Sequence, residues 1–401
     1  MKAYIIESTK KIEPFGDHPH DCLVANMKLG KVQESILQKL DIDLKTVSSP
    51  ALINDTQEYL TIEDSLFFTK KFLKEFIERS RIRKCRTVCA VKYGPFTDHS
   101  VVATQNVTRY PDRVEYGLCY MPPQKFRNDS VYIMMNPEQF YERFPVPEHM
   151  VDGEKYDVPV TDFAIIQIDH WANLWAANMS TLLARIASLR NASIIRKICL
   201  VLRARSLNKW KILRKTNKIG KKCDIHPTAY IEGSTIGDNV TIGAGAVIRL
   251  SVVGDGTSIG SNVHIECSVI GEGCAIDSGS GLLGTVLYPG AATSASIIYV
   301  SILGRNTFVA EGVSLADFRF DGKPVSVIKD GKLVNTNIRG LGSCLGHSVY
   351  LGAGCVVAPG RSIPNKLRLT PDEKRIIRTF YPDGTVAGHR KIDFSSASHL
   401  P

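Results

Sequence analysis

The stretch IEGSTIGDNVTIGAGAVI (residues 231–248) places an aliphatic side chain every six residues and fills the intervals with Gly, Asp, Asn and Ala. Worked outward, the step runs through Ile225, Ile231, Ile236, Ile242, Val247 or Ile248, Val253, Ile259, Ile265, Ile270 and Ile276, with occasional fives. After an irregular stretch it returns at Leu345, Leu351, Val357 and Ile363. Six residues is the length of one short strand and one tight corner. Three such units close a triangular coil of about eighteen residues, each contributing one inward aliphatic, with small residues turning the corners. An antiparallel sandwich would space its turn signals at about 8–12 residues and less regularly. The region 223–368 is therefore expected to be a left-handed parallel β-helix, whose flat faces suit a homotrimer with clefts between subunits.

The irregular stretch includes Ser296 to Asn306 and Ala310 to Val325, with the turn Asp321-Gly322-Lys323, and re-enters the repeat through Arg339, Gly340, Leu341 and Gly342. This resembles the acetyltransferase half of the bifunctional glucosamine-1-phosphate acetyltransferase / N-acetylglucosamine-1-phosphate uridyltransferase family, particularly its archaeal-type relatives. There an insertion with an Asp-Gly-Lys turn interrupts the helix. The resemblance implies substrate contacts from Tyr299, Arg319, Lys323 and Arg339, and contacts to acetyl-CoA from Gly342 and Ala353. The family's catalytic His lies three residues before the Tyr, where this chain has Ser296. Acyl transfer needs a group to accept the proton of the attacking amine or hydroxyl. The candidates left are Asp317 and His347. The histidines show no metal-ligand spacing, so no metal site is expected in the β-helix.

Residues 1–180 read as mixed α/β, with a strand at Ala3–Ile6, a helix near Lys31–Leu40, and a strand followed by a helix between Tyr59 and Ile77. Ile62-Glu63-Asp64 at a strand's carboxyl end resembles the metal-binding acid of sugar nucleotidyltransferases, and Ile168 to Asn178 resembles the stretch that closes their domain. Those domains follow their first strand with a Gly-rich loop that brings backbone N–H groups to phosphate. Here Ser8 to Phe15 contains no glycine. A degenerate nucleotidyltransferase-like domain is expected, with Mg²⁺ relevant only if that domain is active.

Net charge is +10, yet Trp171 to Lys222 holds thirteen Lys/Arg and no Asp or Glu, so the remainder is slightly acidic. The basic helical linker, 181–222, mixes cations with aliphatics over 193–215. It is expected either to pack its apolar stripe on a neighbouring domain or to meet an anionic membrane or lipid-linked substrate. Nucleic acid is not expected, since it usually requires a wider basic face. Residues 369–401 are expected to cap the far end of the prism. No run of about 18 apolar residues and no signal-peptide pattern is present, and the cytoplasm is the expected compartment.

Two functions compete. One is a CoA-dependent acyl(acetyl)transferase acting on a sugar phosphate or nucleotide sugar, with a place in cell-envelope polysaccharide synthesis. The other is a catalytically silent sugar-nucleotide-binding or scaffold trimer.

Overall fold

The computed structural model describes residues 1–124, 129–137, 140–143 and 157–372. The expected C-terminal cap beyond Asp372 lies outside them. An apolar strand at the N-terminus, Lys2–Ile6, becomes the interior of a twisted mixed sheet, with parallel neighbours Asp43–Val47 on one side and Tyr59–Glu63 on the other. The sheet continues antiparallel through Arg113–Met121 to Arg86–Lys92, and ends on Ser130–Met135, which is parallel to Arg86–Lys92. Helices Leu29–Gln38 and Lys70–Arg83 cover it, burying Leu37, Phe72, Leu73 and Phe76.

From Lys218 onward the chain winds into a left-handed β-helix. Among the described residues its three faces hold eight, eight and seven short parallel strands. The inward row of aliphatics is buried from Ile231 to Leu351 and half-buried at the ends, at Ile225, Val357 and Ile363, and Ile248, not Val247, occupies the shared position. The structure corrects two expectations. The repeating coil is seventeen residues long, as the offset between successive corner hydrogen bonds shows. The coil from Leu282 to Ile298 is sixteen, and the last coil reaches eighteen. One corner, from the third face back to the first, is a residue shorter, and its left-handed residue is Gly233, Leu250, Cys267, Gly284 and Val300 in successive coils. The irregular stretch is also narrower than the sequence suggests. Leu282, Leu287, Ile298, Leu303, Val309 and Leu315 keep the inward register, and only 316–343 leave the prism.

The short corner carries a buried hydroxyl ladder that the aliphatic period does not reveal. Ser234 Oγ accepts from Ser251 N–H at 3.1 Å, Ser251 Oγ from Ser268 N–H at 3.0 Å, and Ser268 Oγ from Thr285 N–H at 3.1 Å. Each hydroxyl donates to a carbonyl two residues earlier or in the next coil. Buried corner amides are thereby satisfied without water. Elsewhere coils touch backbone to backbone. A Cβ on Gly271 would lie 2.6 Å from Pro289 N, so only glycine fits there.

The two domains share one core. Helix Trp171–Arg190 lies on the first face of the prism, where Val252, Val269, Val286, Ile302 and Cys344 turn outward. Trp171 is 1% exposed, and Trp175 Nε1 donates to Gly284 O at 2.7 Å. This helix runs through the boundary at 180 that composition suggested. The basic segment then forms two helices, Ile194–Ala204 and Lys209–Arg214, beside the first coils.

Candidate active site at the insertion corner

The corner between the third and first faces is where 316–343 depart and return. Tyr299 ends a third-face strand and is 37% exposed. Beside it Leu341 N–H donates to Asp317 O at 2.9 Å and Gly342 N–H to Val300 O at 2.9 Å. Arg339 Nε donates to Gly322 O at 3.0 Å, which ties the Asp-Gly-Lys turn to the re-entry. Tyr299, Asp317, Arg339 and Gly342 are thus brought to one edge of the prism. Arg319 belongs to the same insertion but forms an ion pair with Asp321 at its surface, which holds the Asp321 carboxyl well below the usual range, and Lys323 is exposed beside them. Burial pushes the Asp317 carboxyl up from the ordinary 3.8, partly offset by its own and the Phe318 backbone N–H. Such a carboxylate is a better proton acceptor than an exposed one.

Ser296 is fully buried, and its hydroxyl is donated to backbone carbonyls of Ser294 and Ala310, both at 2.8 Å. It faces no open space. His347 stands on a different edge, between the first and second faces, stacked on Phe15 at 5.0 Å. Its Nδ1 accepts the Arg305 N–H at 2.9 Å, and its Nε2 lies 3.3 Å from Asp17 Oδ2 and 2.8 Å from Arg305 Nη1. Arg305 donates to the same Asp17 oxygen at 2.7 Å. His347 therefore sits in a clamp between the domains, away from Asp317. Ala353 is exposed on the third edge, between the second and third faces. The Gly342 N–H, already bonded to Val300 O, has no hydrogen left to offer a CoA arm.

The insertion is not a free flap. Its hairpin, Ser326–Lys329 with Lys332–Asn335, is pinned to the N-terminal domain by Lys329 Nζ, which donates to Thr104 O and Asn106 Oδ1, both at 2.6 Å. His170 Nε2 lies 3.2 Å from Ile328 O, and Val325, Val327, Ile338 and Leu341 join the interdomain core. None of these pins carries a local sequence signal. The hydroxyl ladder does, as a Ser/Thr recurring every seventeen residues at 234, 251, 268 and 285.

In the N-terminal domain the loop after the first strand is filled. Ile12 and Phe15 are buried in the interdomain core, and Phe15 stacks on Tyr288 at 5.3 Å. Asp64 is 1% exposed, and its Oδ2 takes the Ser8 N–H at 2.9 Å with His20 Nδ1 at 3.4 Å. Among the described residues no group of three His, Cys, Asp or Glu could hold a metal ion. One buried carboxylate with half its acceptors taken does not fit Mg²⁺, which needs several oxygens in octahedral array.

The Asp17 clamp makes an acid-sensitive joint. Burial alone would raise the Asp17 carboxyl, but hydrogen bonds from His347 and Arg305 outweigh it and hold the group below 3.8. A depressed acid stabilises the fold above its unfolded pKa and loses that contribution as pH falls through the lower folded value. Asp17→Asn is expected to cost about 2 kcal/mol at pH 7. The gap from the parent melting temperature should close below about pH 4. A gap unchanged in acid would contradict this assignment.

Residues 195–302 match the family model of the GMPPB C-terminal domain. A UDP-N-acetylglucosamine acyltransferase from Bacteroides fragilis is similar at 18% identity, over 38% of this chain and 66% of that one, with a TM-score of 0.27. A hexapeptide transferase family protein from Anaplasma phagocytophilum is similar at 21% identity, over 39% of this chain and 81% of that one, with a TM-score of 0.19. The chain thus spans just under two thirds of the first of these structures. No curated protein matches the chain. The chain joins an N-terminal α/β domain to a hexapeptide-repeat β-helix whose first part matches the GMPPB C-terminal domain, and its resemblance lies with the two-domain sugar nucleotidyltransferase family.

Proposed function

We propose that the protein is an acyltransferase that uses acetyl-CoA to acylate a sugar phosphate or nucleotide sugar at the insertion corner, with Asp317 as the proton acceptor. The observation that carries this reading is the gathering of Tyr299, Asp317 and Arg339 on one edge, with a carboxyl whose pKa burial has raised. In the reaction the acceptor's amine or hydroxyl attacks the thioester carbonyl, its proton passes to Asp317, and the C–S bond breaks to release CoA as a thiolate that takes this proton to become the free thiol. Arg339 supplies positive charge for a substrate phosphate, and Tyr299 a flat wall for a sugar ring. Because the first face is covered by the N-terminal domain, a homotrimer would meet through the second and third faces. Ile297 and Val356, both on the third face, are 59% and 73% exposed, and Tyr350 on the second is 39% exposed. Such an arrangement would let an Ala353 edge of one subunit face the insertion corner of another. The N-terminal domain is then a non-catalytic support, its phosphate loop converted to packing.

The second reading, a ligand-binding trimer without turnover, is favoured by Ser296, buried where a base would stand. One experiment separates the two. The purified protein is mixed with acetyl-CoA and a panel of amino-sugar phosphates and nucleotide sugars, with free thiol and melting temperature both measured. Thiol release with one acceptor class supports transfer. A rise in melting temperature without thiol supports binding alone. Neither response would sink both readings.

A further inference from the structure

Helix Ile194–Ala204 turns Ile194, Ile195, Ile198 and Leu202 into solvent, at 75%, 75%, 52% and 69% exposure. Steps of one, four and eight place them on one helical face. Leu207, 86% exposed, extends the patch beyond the helix. Both helices of the segment are preformed: Ser193 Oγ caps the first by accepting the Arg196 N–H, and Asn208 Oδ1 caps the second by accepting the Trp210 N–H. Trp210 is braced against the prism by the Arg249 guanidinium, 5.1 Å from its ring. The apolar stripe is therefore held open on an ordered scaffold.

The charge around it has one sign, with no acid between Trp171 and Lys222. Arg203, Lys211, Arg214 and Lys215 also line a cavity of about 750 Å³ at the open end of the prism, floored by Ile225 and Ile231. Cations beside exposed aliphatics, repeated in helix and cavity, match a surface that offers anionic head groups and hydrocarbon side by side. A nucleic acid would use the cations and leave four aliphatics in water. Among the described residues no helix is long and apolar enough to cross a membrane, so the geometry is that of a helix lying on one. We propose that 193–215 docks the protein on an anionic lipid bilayer, with the Ile194–Leu202 stripe among the acyl chains and the Lys/Arg side chains at head-group level. This does not depend on the activity assigned to the insertion corner.

The test is co-sedimentation of the full chain with vesicles of phosphatidylcholine alone and of phosphatidylcholine mixed equally with phosphatidylglycerol. Binding is expected to the anionic vesicles and to be about tenfold weaker or more on the neutral ones. The triple substitution I194S, I195S, I198S and the reversal R203E, R205E, K209E, K211E should each weaken it by about tenfold or more. Circular dichroism and melting temperature would show that both variants fold. Three results would overturn the proposal. One is no binding to anionic vesicles. The second is binding abolished by charge reversal but untouched by the triple substitution, which is adsorption by charge alone and the way a nucleic acid would be held. The third is a parent that self-associates without vesicle binding and becomes smaller in sedimentation velocity with the triple substitution, which would make the stripe a contact between copies.

Discussion

Ile265→Ala is expected to remove about 3–4 kcal/mol from the unfolding free energy, and Ile363→Ala less than about half of that. Ile265 is fully buried in the middle of the prism, in register with Ile248 below and Leu282 above. A cavity left there cannot collapse, because the coils are held at fixed spacing by backbone hydrogen bonds and the hydroxyl ladder. Ile363 is only half-buried and stacks on Leu345 from one side among the described residues. A solenoid's stability is close to a sum of coil and neighbour terms, so loss should follow the number of stacked neighbours. Urea unfolding of the two variants measures the difference. Equal losses, or a negligible loss at Ile265, would mean that the aliphatics do not form one continuous stack.

Asp317→Asn should lower the rate of acyl transfer by about a hundredfold or more, within the range that general-base catalysis contributes. The amide keeps the shape of the corner and removes the half-buried carboxylate proposed to accept the proton. The parent rate should rise with pH as Asp317 ionises, at a value above the ordinary 3.8. The sign follows from the cause. Burial disfavours the carboxylate, so more alkaline solution is needed to form the base. The residual rate of the Asn variant should be flat over the same range. Since Asp317 is not part of the prism stack, its melting temperature should match the parent's within a few degrees.

The β-helix was legible because a six-residue aliphatic step has few other structural meanings, and because inward positions tolerate little besides Ile, Leu and Val. Legibility failed where the code relaxes. Thr293 takes an inward place, and a glycine-rich run from Ser278 to Gly284 hides Leu282 among turn residues. Just over two coils of regular structure, residues 277–315, therefore merge by eye with the true insertion. The candidate site divides in the same way. Tyr299, Asp317, Arg339 and Gly342 come together because the insertion leaves and returns at one corner, which motif order conveys. His347 reads as a solvated turn residue or a spare base. Its actual neighbours, Phe15, Asp17 and Arg305, lie far away in sequence, so only the docking of one domain on the other identifies it as a joint. The missing glycines after the first strand mark a loop unsuited to phosphate. They do not foretell that Ile12 and Phe15 would become interdomain core.

In the proposed reaction, proton transfer belongs to the insertion corner and not to the interdomain clamp. Single-turnover thiol release from acetyl-CoA, measured side by side for the parent, Asp317→Asn and His347→Asn with the accepted sugar, tests it most directly. A loss of about a hundredfold or more is expected for Asp317→Asn. For His347→Asn the expected rate is within a few-fold of the parent, with a lowered melting temperature. Full activity in Asp317→Asn, or a comparable loss confined to His347→Asn, would contradict it.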